Sequence, residues 1–277
     1  MGHATSTNSR RAWLGQVGSA LGVLGISGKV LGAHPGFSAF APFRVGIQSY
    51  SLRHYDAPEA MDWTQKLGLR YWESYSKHVP TKKESVAEAK AAAKQHEITI
   101  NGYGVLHFTK DERANRELFE FGKALGIKYF SADPDEDAFD CLDKLVDEYK
   151  IAIGIHNHGP GHKWAKIATI RDAIKDHHAL IGCCVDTGHF LRSMEDPVDA
   201  VEAFAGRVYG VHLKDVKNAT QFTVLGKGDL RTADLLALLA KQKYDYCLAL
   251  EYEESEQDPI ADIKACLKAL DEAMPKG

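Results

Sequence analysis

The sequence predicts an α/β protein with a single (β/α)8 TIM barrel that follows an N-terminal leader. Three observations lead to this prediction. Short apolar runs alternate with stretches of helical periodicity eight times along the chain, as in a series of βα units. Several of the later runs end in residues that can bind a metal, and barrel enzymes carry their chemistry at those strand ends. The length of 277 residues suits one barrel.

The first 41 residues are interpreted as a twin-arginine-type signal or leader. Arg10 and Arg11 precede a mildly apolar, glycine-rich stretch that extends to Leu31. A positively charged start before a short apolar region is typical of an export signal, and adjacent arginines resemble the twin-arginine class. Residues 42–277 are then the barrel, delivered to the periplasm or outside the cell. A disordered leader is the alternative, and polar residues and glycines interrupt the run too often for a membrane span.

Eight apolar runs rich in β-branched and aromatic residues are predicted to be the barrel strands. In chain order they span residues 44–50, 69–73, 98–105, 127–132, 151–156, 181–186, 208–213 and 247–252. Asp-Pro pairs at 196–197 and 258–259 predict helix starts, and Gly126 predicts a helix end. An open, doubly wound sheet is the competing class, but no Gly-x-Gly-x-x-Gly turn follows the first run.

The ends of four later strands repeat one pattern, a small residue followed two positions later by a potential metal ligand. The pairs are Gly154 with His156, Cys184 with Asp186, Gly210 with His212, and Ala249 with Glu251. Because side chains alternate along a strand, both members of each pair face the barrel interior. The four polar residues therefore predict a site for one divalent ion. Mixed imidazole and carboxylate ligands suit Mn, Co, Zn or Fe, with Mn or Zn favoured. His158 shares the parity of His156, so either is the fifth-strand ligand.

Six motifs from about Phe43 onward carry a family resemblance. They are GIQSYSLR, GIHNHGP, CVDTGHF, VHLKD, LGKGDL and LEYEE. These motifs resemble the xylose-isomerase-like barrel superfamily of sugar isomerases and epimerases. The resemblance implies a divalent metal bound by Asp186, His212 and Glu251, and a substrate-contacting role for His189. On the fifth strand, where many members have a glutamate, this chain has His156.

The predicted chemistry is proton transfer next to a carbonyl group. A divalent ion that binds a carbonyl oxygen and a neighbouring hydroxyl acidifies the C–H bond between them and stabilises the enediolate. Glu251 is the predicted base as well as a ligand. His158, Lys214 and Glu73 are candidates for substrate binding or for a second base. For Glu73 the two roles are equally supported, and Lys214 could instead be a solvated loop residue. Asp215 is expected to orient a neighbouring site residue.

The predicted function is a metal-dependent sugar isomerase or epimerase of carbohydrate metabolism. The alternative is an exported lyase that cleaves 3-keto-glycosides by β-elimination, because His156 stands where one of two acid/base carboxylates is implied. A non-catalytic sugar- or metal-binding protein is the third interpretation, and an intact Glu251 argues against it. The expected partner is a small sugar or glycoside, and homo-oligomer formation stays open.

Composition excludes several other classes. A net charge of −4 and a pI of about 6.4 argue against a nucleic-acid partner, which needs a basic surface. Nucleases for abasic DNA in the same superfamily have Asp-x-His before the late glycine loop, where this chain has Thr220-Gln221-Phe222. Five cysteines without zinc-type spacing imply neither a disulfide framework nor a zinc finger.

Overall fold

Residues 40–275 are described by the structure, a computed structural model, and eight parallel strands within them close into a barrel. The barrel strands are β1 (Arg44–Gln48), β2 (Tyr71–Ser74), β3 (Thr99–Phe108), β4 (Tyr129–Pro134), β5 (Ala152–His156), β6 (Ile181–Asp186), β7 (Val208–Leu213) and β10 (Cys247–Leu250). Each strand pairs with the next, and β10 closes the barrel against β1 with Arg44 opposite Cys247. The predicted fold class is confirmed.

Helices follow the strands around the outside of the barrel. They are α1 (Ala57–Lys66), α2 (Lys83–Gln95), α3 (Glu112–Leu125), α4 (Phe139–Tyr149), α5 (Ile167–Ile174), α6 (Thr187–Arg192), α7 (Pro197–Ala203), α8 (Thr232–Lys241) and α9 (Ile260–Ala273). A short 3-10 helix, Ser49–Leu52, follows β1. An antiparallel hairpin of β8 (Asp215–Lys217) and β9 (Gln221–Thr223) is inserted after β7.

The element boundaries differ from the predicted ones in a few places. Strand β10 ends at Leu250, so Glu251 lies just beyond it, although the Glu251 amide still donates to the carbonyl of Leu213 at 3.1 Å. Asp196 caps α7 as expected, by accepting from the amide of Val198 at 2.8 Å. The predicted cap at Asp258 is wrong, because α9 begins after Pro259 without a side-chain cap.

Two hydrophobic layers position the site. Large apolar side chains between the strands and the helices, such as Ile155, Val185 and Val211, are fully buried. A smaller cluster, which includes Tyr129 and Tyr209, fills the barrel interior near the N-terminal ends of the strands. The barrel interior is therefore filled by side chains near the N-terminal ends of the strands. Its buried polar side chains lie towards the C-terminal ends, where a barrel carries its site.

The predicted leader over residues 1–41 lies outside the described residues except for its last two positions, so the export signal stays a prediction. Among residues 40–275, no helix has the length and apolar character needed to cross a bilayer. The five cysteines of the sequence all lie in the described part of the chain, where they are buried and form no disulfide.

Candidate active site

Four buried polar side chains from neighbouring strands meet at the C-terminal end of the barrel. His156 ends β5, Asp186 ends β6, His212 lies near the end of β7 and Glu251 follows β10. The pairing register places Asp186 directly opposite His212, and the alternation of side chains turns both inward. Exposed fractions of 4%, 0%, 1% and 8% for the four residues, in chain order, show that bulk water reaches little of them.

The ligand-type atoms of these residues, a candidate metal-binding group that we call the metal cluster, point at one another. His156 Nε2 lies 3.1 Å from His212 Nδ1 and 3.3 Å from Asp186 Oδ2. Glu251 Oε2 lies 3.0 Å from His212 Nδ1. All four atoms are within 4.8 Å of one another. Two imidazole nitrogens and two carboxylate oxygens are a donor set for Zn, Mn, Fe or Co.

The hydrogen bonding of the cluster fits a divalent ion. Asp186 Oδ2 and Glu251 Oε2 are buried without a well-formed hydrogen bond, although the other oxygen of Asp186 accepts from the amide of His189 at 2.8 Å. Buried carboxylate oxygens are costly unless a cation or donors satisfy them. Lys214 Nζ, at 2.9 Å from Asp186 Oδ2 and 3.1 Å from Glu251 Oε2, supplies one positive charge for two negative ones.

Glu73 stands behind His212 and fixes its orientation. His212 Nε2 donates to Glu73 Oε1 at 2.8 Å, so the opposite nitrogen, Nδ1, faces the metal cluster. Glu73 also accepts from Gln48 Nε2 at 3.0 Å and from the hydroxyls of Ser131 and Tyr129. Burial alone would raise the pKa of Glu73, but the charge and hydrogen bond of His212, with the two hydroxyls, bring the pKa below its usual value. Glu73 is therefore an ionised partner of His212.

This position corrects the roles expected for Glu73. None of its surface is exposed, and it does not line the cavity above the cluster. Its oxygens already accept hydrogen bonds from four neighbours, so the structure does not place Glu73 where a substrate-binding residue or a second base is expected. Strand parity alone could not distinguish a side chain that reaches the cavity from one enclosed beneath it.

Lys214 lies inside the site and is not a solvated loop residue. It is 4% exposed, its ammonium contacts Asp186, Glu251 and Glu253, and it lies 5.4 Å from the centre of the Phe222 ring. Burial would lower the pKa of Lys214, but these three carboxylates raise it above its usual value. Lys214 therefore carries a fixed positive charge beside the metal cluster.

A cavity of about 310 Å³ opens above the cluster. Its lining residues are Gln48, Tyr50, Tyr75, Ser76, Gly104, Val105, His156, His158, His189, Lys214, Glu251 and Glu253. The residues that follow β1 and β2 contribute two tyrosines, Tyr50 and Tyr75, whose rings meet edge to face at 5.4 Å. The Tyr75 hydroxyl is buried and has no hydrogen-bond partner among the described residues. Val105 of β3 is 40% exposed, so this wall of the cavity is aromatic and apolar.

Two histidines line the opposite wall. Burial lowers the pKa of His189 to about 4. Burial, with His156, His162 and His189 nearby, lowers the pKa of His158 to about 3. Both rings are consequently neutral at pH 7 and can exchange hydrogen bonds with a bound molecule. His158 is placed beside the cluster, with its ring centre 4.6 Å from that of His156, whereas Nε2 of His156 itself faces the other members of the cluster.

A second group, Asp133, His158 and His162, could hold a cation by distance alone. Lys163 Nζ, however, lies 3.3 Å from Asp133 Oδ1 and already neutralises that carboxylate. His162 Nδ1 accepts from the amide of Trp164 at 3.2 Å, so its proton is on Nε2, which lies 3.6 Å from Asp133 Oδ2. Asp133 Oδ1 has no well-formed hydrogen bond, but Lys163 supplies the cation that the single carboxylate of this group needs, and we assign no metal to it.

Asp215 organises a loop and does not orient His212 or Lys214 as expected. Its carboxylate accepts from the amides of Gly226 and Gly228 at 2.9 Å and of Leu230 at 3.0 Å. A Cβ atom at Gly228 would lie 2.3 Å from Asp215 Oδ1, which explains a glycine there. The LGKGDL motif therefore anchors the segment that follows the β8–β9 hairpin, and that hairpin carries Phe222 to the site.

Several residues of the site are not predicted from the sequence. Gln48, which holds Glu73, follows Gly46 by two positions on β1 and so obeys the same small-then-polar pattern as the later strands. Applying that pattern to the early strands would have found it. Tyr50 and Tyr75 lie in the segments that follow β1 and β2, and Phe222 lies on the β8–β9 hairpin, so the parity of the barrel strands gives no signal for them.

Comparison with known proteins identifies the family to which the chain belongs. The family described as xylose isomerase-like TIM barrel matches residues 61–273. An inosose dehydratase of Clostridium botulinum (strain Eklund 17B / Type B) is 28% identical over 137 residues, which cover 43% of this chain and 45% of that protein. The chain thus spans less than half the length of the curated relatives that it matches.

Solved structures resemble the whole barrel. The IOLI protein with a bound zinc atom is 14% identical, with a TM-score of 0.68 over 83% of this chain and 98% of that one. A sugar phosphate isomerase/epimerase from Parabacteroides distasonis ATCC 8503 is 16% identical, with a TM-score of 0.67 over 84% and 97% of the two chains. At these identities the likeness establishes the fold.

Proposed function

The chain belongs to the xylose isomerase-like TIM-barrel family, and from that premise we propose that it is a divalent-metal-dependent lyase. Its substrate would be a sugar-like molecule with a carbonyl group, and its reaction a β-elimination. The choice of a lyase over an isomerase or epimerase rests on where the carboxylates of the site lie. The carboxylates that line the cavity, Glu251 and Glu253, stand at the end of one strand, and Glu73 is enclosed behind His212. Elimination needs a base on one face of the substrate, whereas carboxylate-based epimerisation needs one on each face.

The residues present fit a bound divalent ion. His156 Nε2, Asp186 Oδ2, His212 Nδ1 and Glu251 Oε2 are the atoms that would hold it. When bound, the ion would supply Lewis-acid polarisation of the substrate carbonyl and so acidify the adjacent C–H bond. Zinc and manganese both accept this donor set.

Glu251 is the proposed base. Burial would raise the pKa of Glu251, but Lys214 and His212 bring it well below its usual value, so the side chain is ionised, which is the protonation state in which a base acts. Its carboxylate takes the proton next to the carbonyl, and the electron pair of the C–H bond forms a C=C bond. The C–O bond on the neighbouring carbon then breaks, its electron pair leaves with the oxygen, and Glu251 returns the proton to that oxygen. No oxidant or reductant is needed.

Lys214 is proposed to stabilise the negative charge that develops during this transfer. Its ammonium lies 3.1 Å from Glu251 Oε2 and lines the cavity, so it is close to the reacting atoms. A fixed cation in a buried site contributes more than an exposed one, because the surrounding dielectric is low.

The aromatic and apolar wall of the cavity is suited to bind a ring of the substrate. Tyr50 and Val105 expose apolar surface there, and the unpartnered hydroxyl of Tyr75 can bind a substrate oxygen. The curated relatives in the matched segment are named inosose dehydratases. Dehydration is an elimination in which water leaves, so this likeness supports the lyase.

An isomerase or epimerase, the function favoured by the sequence alone, is the second candidate. Neutral His158 follows β5 and lines the cavity across the barrel from the end of β10, so it could act as a second proton acceptor. The two candidates share the metal cluster and differ in what happens after the first proton transfer.

A time course by NMR in D2O separates them. Metal-loaded protein is mixed with a panel of ketoses, aldoses, inososes and 3-keto-glucosides. The lyase predicts an unsaturated product together with a released alcohol or water. Deuterium entering a sugar whose skeleton and substituents remain intact would instead establish an isomerase or epimerase. Metal-stripped protein and Glu251→Gln are the controls, and both should be inactive. If no compound reacts although the ion is bound, the lyase and the isomerase are both contradicted, and the protein is a non-catalytic binding protein.

A further inference from the structure

Arg192, the last residue of α6, contacts a histidine of the cavity from behind. Its Nη1 lies 3.2 Å from Nδ1 of His189, which stands three residues earlier on the same helix. A guanidinium carries only N–H donors and stays protonated in proteins. His189 Nδ1 must therefore accept, which makes the ring neutral and places its proton on Nε2.

We propose that Arg192 is a positioning residue that fixes His189 in the Nε2–H tautomer and so makes it a hydrogen-bond donor to substrate. In this state neither ring nitrogen of His189 is free to accept a proton. His189 is therefore assigned to the recognition of an oxygen atom of the substrate and is excluded as a base.

Arg192 is itself held in place by its surroundings. Its guanidinium lies 5.1 Å from the centre of the Phe222 ring, on the β8–β9 hairpin. On another side it packs against Gly159, where a Cβ atom would come within 3.1 Å of Nη1. The Phe222 ring also meets the ring of His189 at 5.7 Å. Arg192, Phe222 and His189 thus form one packed unit, and a cation over an aromatic face is a favourable contact.

The position of His189 is also tied to the metal cluster. Its amide donates to Asp186 Oδ1 at 2.8 Å, while Oδ2 of the same carboxylate belongs to the cluster. The Nε2–H donor of His189 consequently has a fixed position relative to the proposed metal site. If the proposed function holds, this N–H would bind the oxygen on which negative charge develops, as in an oxyanion hole.

The tautomer can be measured without any substrate. Zinc-loaded protein labelled with ¹⁵N-histidine gives long-range ¹H–¹⁵N spectra in which the two neutral tautomers have distinct nitrogen shifts, and His189→Gln identifies the signals. We expect His189 to be entirely Nε2–H in the unaltered protein and to show mixed tautomers in Arg192→Leu. Arg171→Leu, a change of an exposed arginine on α5, should leave the spectrum unchanged. A His189 signal of the Nδ1–H type, or an unchanged tautomer in Arg192→Leu, would overturn the proposal.

Kinetics test the consequence separately. With a substrate found in the D2O panel, Arg192→Leu should lower kcat about 10- to 100-fold with little change in KM, because orientation of a catalytic donor is lost. Arg192→Lys should recover part of the loss, since an ammonium still donates to Nδ1. Unchanged kcat in Arg192→Leu would remove the catalytic consequence. The NMR result stands or falls independently of the proposed reaction.

Discussion

His212 has a different partner on each nitrogen of its ring. Nε2 donates to Glu73 and Nδ1 faces the metal cluster, so Glu73 determines which nitrogen is offered to a metal. A carboxylate behind a ligating histidine also raises its basicity and fixes the ring plane. We therefore propose that Glu73 contributes to metal affinity and not to substrate binding.

Replacing Glu73 tests that assignment. Glu73→Gln should weaken zinc binding about 10- to 100-fold, because a neutral amide orients His212 less strongly than a carboxylate does. The measurement is the zinc Kd by competition with a chelator. Gln48→Leu, which removes a different hydrogen bond of the same carboxylate, should have a smaller effect on the Kd. An unchanged Kd with a raised KM for substrate would restore the role expected from the sequence.

Lys214 should affect turnover and metal binding in opposite directions. Its ammonium lies within 3.1 Å of two proposed ligand oxygens, so it repels a divalent ion. Lys214→Met should therefore bind zinc about 10-fold more tightly while losing at least about 100-fold in kcat. Chelator competition and the substrate assay give the two numbers. Weaker zinc binding in this variant would mean that Lys214 mainly holds the site together.

At the scale of elements, the β8–β9 hairpin depends on one buried carboxylate. Asp215 accepts from the amides of Val216, Gly226, Gly228 and Leu230 and is 1% exposed. Removing a buried acceptor leaves those amides without a partner. The loop is consequently a closed unit that fixes Phe222 against His189 and Arg192.

Asp215→Ala should destabilise the fold by about 3 kcal/mol and expose this loop first. Amide hydrogen exchange should accelerate at residues 226–230, and urea unfolding gives the free energy. Asp229→Ala changes an exposed aspartate in the same loop and should do neither. Equal exchange rates in Asp215→Ala and the unaltered protein would contradict the proposed anchoring.

The strands and the ligand set follow from the sequence for one physical reason. Strand alternation is regular and barrel pairing is in register, so residues at the ends of neighbouring strands meet. His156, Asp186 and His212 obey that rule, and the structure brings them together with Glu251. The roles of Glu73 and Asp215 do not follow, because each depends on which partner from a distant segment reaches its carboxylate. Local sequence patterns carry no information about such long-range partners.

At the scale of the whole molecule, stability should depend on pH through a histidine that is not part of the metal cluster. His78, in the loop after β2, is 8% exposed, stacks on Trp72 at 5.4 Å and has Nε2 at 3.1 Å from the carbonyl of Tyr55. Burial lowers the pKa of His78 from 6.5 to about 4. The unfolded chain therefore binds a proton more readily than the folded protein does. The stabilisation that comes from burying a neutral His78 is complete above pH 6.5 and is lost as the pH falls towards 4.

Between pH 7 and pH 5 this residue should account for a loss of about 2 kcal/mol in unfolding free energy. His78→Phe, which keeps an aromatic ring over Trp72, should reduce the pH dependence by that amount in urea titrations at the two pH values. His54→Gln, a change of an exposed histidine on the neighbouring segment, should leave it unaltered. Identical pH dependence in His78→Phe and the unaltered protein would show that His78 does not contribute.

We propose that two imidazoles and two carboxylates hold one divalent ion at the C-terminal end of the barrel. X-ray absorption at the zinc edge of zinc-loaded protein tests it most directly, with Asp186→Ala as the variant that should not retain the metal. We expect one zinc per chain, with two imidazole ligands, oxygen for the remainder and no sulfur. Sulfur in the coordination sphere, a single imidazole, or full zinc retention by Asp186→Ala would contradict it.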